Sequence, residues 1–208
     1  MRESVLFTTL RISSVTIPNR FVRSATHDFM AGDDGSITER NLSLFTGLAQ
    51  GGVGLIITGH AFVSPAGKAS PRQIGVHDDG MVEGLSRIPA AVHRFPTRVF
   101  LQISHAGRQT KEKVCGCTPF APSAVYEPVF KVMPRAMTKE DIKETIDDFV
   151  QAGRRAKQAG FDGIQIHVAH GYLLSSFISP HTNRREDAYG GSLLNRGRIV
   201  RQIVERLK

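Results

Sequence analysis

Four short apolar segments recur along the chain, and a helical pattern follows each of them. We predict strands at residues 20–26, 53–58, 97–103 and 164–166. Residues 53–58, VGLIIT, form a continuous apolar run, which is typical of a strand buried on both faces of a parallel sheet. Strands that alternate with helices indicate an α/β fold with a parallel sheet.

The intervening helices are marked by caps and by apolar stripes. We expect helices at residues 38–50, 81–95, 138–159 and 193–207. The third is the clearest, because Thr138 and Asp141 form a capping-box pattern and Gly160 supplies a stop. Pro89 weakens the second helix unless it lies at a break. In the last helix we expect five apolar residues to face inward: Ile199, Val200, Ile203, Val204 and Leu207.

Polar clusters follow all four predicted strands, whereas no G-x-G-x-x-G motif follows any of them. A dinucleotide-binding Rossmann fold therefore lacks its fingerprint. Active sites assembled from several strand ends are typical of a TIM barrel, which has eight strand–helix units in about 250 residues. Residues 6–17 alternate weakly around Ser13 and predict a hairpin. We therefore predict a TIM (β/α)8-type barrel, first four βα units only, preceded by a short N-terminal hairpin, as one domain over residues 1–208.

The composition, with 40% hydrophobic and 22% charged residues, is that of an ordinary globular protein. The net charge of +8 indicates either a solvated basic surface or an anionic partner. The basic residues are scattered and not interleaved with aromatics, so we expect no nucleic-acid partner. The N-terminus lacks the apolar core of a signal peptide, and no apolar run approaches a membrane span. We expect a soluble cytoplasmic protein with no membrane partner.

The only cysteines are Cys115 and Cys117, one residue apart. They make no disulfide framework, and they lack the second pair that a zinc or iron–sulfur site needs. We interpret them as incidental loop residues and expect no metal.

Residues 161–198 hold the densest polar sequence: a short apolar strand runs directly into His167, His170 and Tyr172, and a long polar loop follows. Long loops inside compact chains are usually functional. A lone H-x-x-H pair can be a hydrogen-bonded structural pair, a metal pair or a functional pair. A metal pair is disfavoured, because no Cys or Glu at ligand spacing completes a set. We interpret four loop residues as a structural network rather than a catalytic one: Asn183, Arg185, Asp187 and Tyr189.

Five motifs occur in one order along the chain. They are NRFVRSAT at residues 19–26, GVGLIITGH at 52–60, QISHAGR at 102–108, FAPS at 120–123, and IHVAHGYL at 166–173 with SPHTNRREDAYGGSLLNR at 179–196. Together they resemble the old yellow enzyme family, the FMN-dependent NAD(P)H:flavin oxidoreductases that include ene-reductases and 2,4-dienoyl-CoA reductases. The resemblance runs from about Leu6 to the last residue.

The resemblance implies FMN at the carboxyl ends of the strands, with NAD(P)H as reductant and a small-molecule substrate. It implies cofactor contacts from Ser24, Ala25, Thr26, His27, Gly59, His60 and Gln102. The pair His167 and His170 matches the histidines that bind the substrate carbonyl or an anion. Tyr172 matches the tyrosine that donates the proton in enone reduction. Phe29 falls where some relatives carry a tyrosine that reaches the substrate.

Chemistry supports these implied roles. Hydride delivery to the β-carbon of an enone builds charge on the carbonyl oxygen, which imidazole N–H donors can stabilise. The α-carbon then needs a proton, which a phenol can donate as general acid. Departures from the family pattern leave the substrate open: besides Phe29, His27 lies where relatives vary, Gln165 replaces a common acidic residue, and Leu194 replaces a Glu.

Length is the largest departure, because the second half of the family's barrel supplies an arginine near the flavin and the loops that hold the FMN phosphate. One alternative is therefore a truncated, catalytically incompetent half-barrel that needs another chain or the missing half. Pairing through the open barrel edges, including homo-oligomerisation, stays open. An anion- or nucleic-acid-binding module driven by the net charge of +8 is a more distant alternative.

Overall fold

The structure is a computed structural model that describes residues 4–208. Its strands are β1 (Leu10–Ile12), β2 (Val15–Ile17), β3 (Val22–Arg23), β4 (Leu55–Ile57), β5 (Ala61–Phe62), β6 (Arg98–Ser104), β7 (Phe120–Ala121), β8 (Arg135–Ala136) and β9 (Gly163–Ile166). Its helices are α1 (Glu39–Gln50), α2 (Met81–Val92), α3 (Glu112–Cys115), α4 (Lys139–Gln158), α5 (Leu173–Ile178), α6 (Leu193–Arg196) and α7 (Arg198–Leu207). Short 3₁₀ turns lie at Val5–Phe7 and Pro65–Gly67.

The main sheet has five strands. The order β3-β4-β6-β5 is completed by β9, which also pairs with β6. The pairs β3–β4 and β4–β6 are parallel, as the alternation of strands and helices predicts. The predicted α/β class with a parallel sheet is therefore confirmed.

The chain forms two compact units. The first contains the residues up to Ala61 together with Arg72–Gln102 and Arg154–Gln165. The second contains Phe62–Pro71, Ile103–Gly153 and Ile166–Lys208. Each unit is described below by itself.

The first unit opens with the predicted hairpin. Strands β1 and β2 pair antiparallel, with Ile12 opposite Val15, and Ser13 takes the left-handed conformation that the turn requires (φ 53°). Ile17 at the end of β2 packs in one core cluster with Leu55 and Ile57 of β4. Burial of these apolar side chains stabilises the hairpin against the sheet at ~25 cal/mol per Å² of apolar surface.

Two helices begin with the caps that the sequence predicts. Thr38 and Asn41 form a capping box at the start of α1. At the start of α4, the Asp141 carboxylate accepts from the Thr138 N–H at 2.6 Å, and the Asp141 N–H donates to the Thr138 hydroxyl at 3.1 Å. Each box satisfies main-chain donors that the first helical turn leaves without partners.

Several predicted boundaries are wrong. The helix predicted at residues 81–95 ends at Val92, and Pro89 lies inside it, where its missing N–H leaves one main-chain hydrogen bond unmade. The predicted last helix is interrupted at Gly197, which separates α6 from α7. Val204 is exposed rather than inward-facing, at 37%. A short helix, α5, forms where the sequence predicts loop, because Leu173 and Phe177 are both fully buried.

Within residues 4–208, no helix is both long enough and apolar enough to cross a membrane.

Candidate active site

The segment that follows β3 carries the first predicted cofactor residues. The Arg23 guanidinium donates to the backbone O of Ser24 and to the Thr26 hydroxyl, the latter at 2.5 Å. The methyl group of Ala25 packs against the core cluster of the first unit. The backbone of residues 24–26 is therefore fixed on one side by a cation and on the other by apolar packing.

Gly59 lies against this segment. A Cβ atom at Gly59 would come within 2.8 Å of the backbone O of Thr26, closer than a real side chain tolerates. The turn after β4 thus touches the backbone after β3, and only glycine permits this approach.

Three rings of the first unit form a cluster that we call the His27 cluster, consisting of His27, Phe29 and His60. The His27 ring centroid lies 3.8 Å from that of Phe29 and 4.9 Å from that of His60. Burial lowers the pKa of His27, against a smaller opposing effect of Asp28. Phe29 is 53% exposed and takes a left-handed backbone conformation (φ 54°), which is costly for a bulky residue.

The His60 side chain is held in one tautomer. The Gln73 Nε2 donates to the His60 backbone O at 3.0 Å and to its Nδ1 at 2.9 Å. Because Nδ1 accepts, the proton of the neutral ring lies on Nε2. Gln73 is fully buried, and no motif in the sequence points to it.

Gln102 is bonded through both its main chain and its side chain. Its N–H donates to the Thr58 hydroxyl at 3.2 Å, and its Nε2 donates to the Gln165 Oε1 at 2.6 Å. The residue that departs from the family pattern, Gln165, is therefore the partner that orients the Gln102 amide. A carboxylate at this position would accept the same hydrogen bond and add a charge.

In the second unit, His167, His170 and Tyr172 come together directly after β9. The His167 Nε2 lies 3.2 Å from the His170 Nδ1, and the His167 ring centroid lies 4.8 Å from that of Tyr172. Buried His167 supports exposed His170 on one side and half-buried Tyr172 on the other. The resemblance had implied this grouping, and the geometry is compatible with it.

A left-handed turn produces the grouping. His170 (φ 58°) and Gly171 (φ 74°) are both left-handed, so the chain reverses between His167 and Tyr172. A Cβ atom at Gly171 would come within 2.3 Å of the Gln109 Nε2, a side-chain end that can move, so it is the left-handed backbone that favours glycine here. A left-handed histidine costs roughly 1–2 kcal/mol, and such strain concentrates at functional sites.

Burial sets the protonation of two of these groups. It lowers the pKa of His167, with the neighbouring His170 acting in the same direction. It raises the pKa of Tyr172, so the phenol keeps its proton throughout the neutral range. The site therefore presents an uncharged imidazole beside a protonated phenol.

Two buried polar residues of the second unit lie outside the predicted roles. His105 is fully buried, which lowers its pKa to about 3, and its Nδ1 accepts from the Gly107 N–H at 3.0 Å. Its backbone O accepts from the Leu173 N–H at 3.0 Å, which ties it to the first turn of α5. Arg108 is 8% exposed and donates to the backbone O atoms of Val125 and Tyr126.

The loop after α5 is a structural network, as the sequence predicts. Arg185 donates to both carboxylate oxygens of Asp187, at 3.0 and 2.6 Å. Asn183 donates to the backbone O atoms of Phe177 and Tyr189, each at 2.7 Å. These bonds hold the loop together and fix it to α5.

The predicted residues thus form two groups, one in each unit. Ser24, Ala25, Thr26, Gly59 and the His27 cluster meet in the first, where Gln102 pairs with Gln165. His167, His170 and Tyr172 meet in the second. The described part of the chain holds no cluster of three or more His, Cys, Asp or Glu side chains that could bind a metal ion.

Known proteins resemble this chain along nearly its whole length. The profile of the NADH:flavin oxidoreductase / NADH oxidase family matches residues 5–208. An NADH oxidase of Thermoanaerobacter brockii is 42% identical over 205 residues, which make up 98% of this chain and 32% of that protein. An NADPH dehydrogenase of Bacillus licheniformis is 39% identical over 209 residues, 100% of this chain and 61% of that protein.

Solved structures show the same similarity along nearly the whole chain. An old yellow enzyme homologue from Zymomonas mobilis superposes with a TM-score of 0.92 at 34% identity, covering 98% of this chain and 59% of that one. Morphinone reductase, solved in complex with tetrahydroNAD, superposes with a TM-score of 0.91 at 30% identity, covering 99% and 60%. The chain therefore spans between a third and three fifths of the length of these relatives.

Three observations agree with one another: the fold of the relatives, the order of the five motifs, and the grouping of the two histidines with the tyrosine. This chain belongs to the NADH:flavin oxidoreductase / NADH oxidase family, the FMN- and NAD(P)H-dependent oxidoreductases that include the old yellow enzymes.

Proposed function

We propose that this chain carries the substrate-activating residues of an FMN-dependent reductase of activated C=C bonds, of the enone or dienoyl type, with NAD(P)H as reductant. One observation carries the proposal: His167 contacts both His170 and Tyr172 at the end of β9. Two N–H donors and one O–H donor in such a cluster can serve the oxygen and the α-carbon of one conjugated carbonyl compound.

Part of the first unit is suited to contact a flat cofactor ring. Residues 24–26 have short side chains, and the Gly59 turn lies in backbone contact with them, which would leave main-chain groups of this segment close to a bound ring. The Gln102 amide, oriented by Gln165, offers the donor and acceptor groups that a pyrimidine edge requires. We propose that Ser24, Ala25, Thr26, His27, Gly59, His60 and Gln102 hold FMN. When bound, FMN supplies the hydride that NAD(P)H has delivered.

The histidine pair would stabilise the developing charge on the substrate oxygen. The Ala169 N–H donates to the His167 Nδ1 at 3.3 Å, which places the His167 proton on Nε2. That proton is directed to the His170 Nδ1, so the outward donor of the pair is the His170 Nε2–H. A carbonyl oxygen would meet this donor first, and rotation of the His170 ring would release the His167 donor as well. Donors fixed before the charge develops lose little reorganisation energy.

Tyr172 would donate the proton to the α-carbon. Its ring lies 4.8 Å from that of His167 at an interplanar angle of 31°, which restricts the position of the phenol. The raised pKa keeps the proton in place until the carbanion-like carbon develops. The phenol needs no further activation for this role.

Within the first unit, we propose that Phe29 contacts the substrate. It is exposed and left-handed, and its ring rests on His27, so it offers an apolar face for the carbon skeleton of the substrate. An aromatic ring without a hydroxyl here favours apolar substituents.

The test separates cofactor binding from chemistry. FMN is titrated into the protein and followed by its visible absorbance, and NADPH or NADH oxidation is then measured with 2-cyclohexenone. Tyr172→Phe should bind FMN as the original protein does but lose enone turnover by roughly 10²-fold or more. Tyr126→Phe, which changes a half-exposed tyrosine, is the matched control and should retain full turnover.

Two results would contradict the proposal. Protein that stays colourless through the FMN titration does not bind the cofactor as this chain alone. Equal enone turnover in Tyr172→Phe and Tyr126→Phe would remove Tyr172 from the chemistry while leaving the cofactor assignment intact.

We also propose a second role, that of a half-barrel module which pairs with another chain and is inactive alone. The observation that favours it is the edge formed by β3, which among the described strands pairs with β4 alone. Phe21 and Val22 at this edge are 41% and 48% exposed. Exposed apolar edge strands are prone to pairing. Light scattering at several protein concentrations tests pairing between two copies of this chain, and a monomer at every concentration would exclude that form of the role.

A further inference from the structure

The two cysteines lie closer to each other than their spacing alone requires. Cys115 ends α3, Gly116 is left-handed (φ 75°), and the chain turns back so that the Cys115 Sγ donates to the Cys117 backbone O at 3.1 Å. The Cys115 thiol is also near enough to Cys117 to help raise its pKa. Cys115 is therefore the buried end of a folded dithiol turn rather than an incidental loop residue.

Both cysteines line one cavity of the second unit. Its volume is about 360 Å³, and it is open to solvent. Three carboxylates from α4 share its wall with the thiols: Asp141, Glu144 and Asp148. The cavity gives a small reagent access to Cys117, which is half-exposed, and through it to Cys115, which is 4% exposed.

We propose that Cys115 and Cys117 form a thiol–disulfide exchange site, in which a small disulfide enters the cavity and oxidises the pair to an intramolecular disulfide. Nothing in the flavin chemistry proposed above uses these residues. The site is therefore independent of FMN binding and of enone reduction.

The exchange balances with the reagent as the oxidant. The thiolate of Cys117 attacks one sulfur of the reagent, forms a mixed disulfide and releases one reagent thiol after protonation. The thiolate of Cys115 then attacks the Cys117 sulfur, closes the protein disulfide and releases the second reagent thiol. Two protein thiols are oxidised and one reagent disulfide is reduced to two thiols.

Exposure assigns the two roles. Cys117 is the attacking residue because it is the more accessible of the two, and Cys115 is the resolving residue because it is buried against its partner. Burial raises the pKa of Cys117, with Cys115 adding to the effect and Arg135 opposing it. Cys117 is therefore mostly in the thiol form at neutral pH, which slows its attack on the reagent.

The carboxylates that line the cavity predict which disulfide reagents react fastest. Arg135 is paired with Asp141 at 2.6 Å, so the charge of each is largely offset, and the Glu144 carboxylate adds negative charge to the wall of the cavity. A cationic disulfide should therefore accumulate at the site, and an anionic one should be repelled. We expect cystamine to react at least ~3-fold faster than glutathione disulfide at low salt, with the ratio shrinking as salt screens the charges.

The experiment treats the native full chain with cystamine, blocks the remaining thiols with N-ethylmaleimide and measures the intact mass. The expected product is a protein two hydrogens lighter with neither cysteine blocked. Cys115→Ser should stop at the mixed disulfide on Cys117. Cys117→Ser should react far more slowly, because only the buried thiol is left.

Three outcomes overturn the proposal. One is a stable mixed disulfide in the original protein, in which N-ethylmaleimide still modifies Cys115. Another is a disulfide-linked dimer. The third is no reaction in the native protein while the urea-unfolded chain reacts. A Glu144→Gln variant tests the carboxylates that line the cavity. If the ratio of the cystamine rate to the glutathione disulfide rate is unchanged in that variant, Glu144 does not select the reagent.

Discussion

The His167 Nε2 and the His170 Nδ1 lie 3.2 Å apart, so the two imidazoles form a single hydrogen-bonded unit. The Ala169 N–H occupies the other nitrogen of His167, and this fixes the direction of the chain of hydrogen bonds. The outward N–H of the unit therefore belongs to exposed His170, while buried His167 supports it. One left-handed turn therefore sets both the position of the His170 ring and the direction of its outward N–H.

The backbone of His170 stores strain that a different residue can release. Asparagine tolerates the left-handed region better than histidine. We expect His170→Asn to raise the free energy of unfolding by up to about 1 kcal/mol, although it removes the outward imidazole donor. Urea unfolding measures the change, with His181→Asn at an exposed position as control. A loss of stability in His170→Asn would show that the hydrogen bond to His167 outweighs the strain.

The pKa of His167 should respond to its neighbour. Burial is the main cause that lowers it, and the His170 ring adds to the effect. In His170→Asn the smaller cause disappears, so the pKa of His167 should rise but stay below its ordinary value of 6.5. NMR titration of the imidazole protons measures this directly. An unchanged pKa would mean that the two rings are not coupled.

His105 should make the protein less stable in mild acid. Its pKa is about 3 in the folded chain, against 6.5 for an unhindered histidine. The unfolded chain therefore binds a proton that the folded chain does not, and stability falls as the pH drops from 6.5 toward 3. The slope from this one group is at most about 1.4 kcal/mol per pH unit.

The measurement is urea unfolding at several pH values between 7 and 5. His105→Leu, which cannot take up a proton, should show a shallower decline than the original protein. The variant will also be less stable at pH 7, because it loses the hydrogen bond from the Gly107 N–H. Only the difference in slope tests the assignment, and parallel curves would contradict it.

The pair Arg185 and Asp187 should be worth more than a surface ion pair. Their side chains are only 11% and 25% exposed, and two hydrogen bonds join them. Arg185 also donates to the backbone O atoms of Pro122 and Met137. We expect Arg185→Ala to cost about 3 kcal/mol and Asp187→Ala about 1–2 kcal/mol, since only the first also orphans buried carbonyl groups.

A double-mutant cycle isolates the pair. The coupling free energy between Arg185 and Asp187 should be about 1 kcal/mol or more. The exposed pair Arg201 and Glu205, whose nearest charged atoms are 3.6 Å apart, is the matched control and should couple by less than about 0.5 kcal/mol. Equal coupling in the two pairs would show that the loop network does not depend on this ion pair.

The sequence by itself determined the elements that depend on local signals. The capping boxes at Thr38 and Thr138, the stop at Gly160 and the apolar strand at Leu55–Ile57 all follow from neighbours within one or two turns. The motifs likewise determined the family, because five short patterns in one order carry information that no single pattern has. The interpretation of the loop after α5 as a structural network rests partly on local contacts, such as those between Arg185 and Asp187 and between Asn183 and Tyr189, whereas the hydrogen bonds from Arg185 to Pro122 and Met137 come from the fold.

Tertiary structure alone decided the states of the functional groups. Buried Gln73 fixes the tautomer of His60 from thirteen residues away, and Gln165 orients the Gln102 amide across 63 residues of chain. α5 exists because its apolar residues are buried, which outweighs a local sequence that predicts loop. The turn at Gly116 brings two thiols together in a shared cavity. Hydrogen bonds, burial and charge act between groups that are close in space. The sequence therefore identifies the residues, whereas only the folded structure shows which of them are partners.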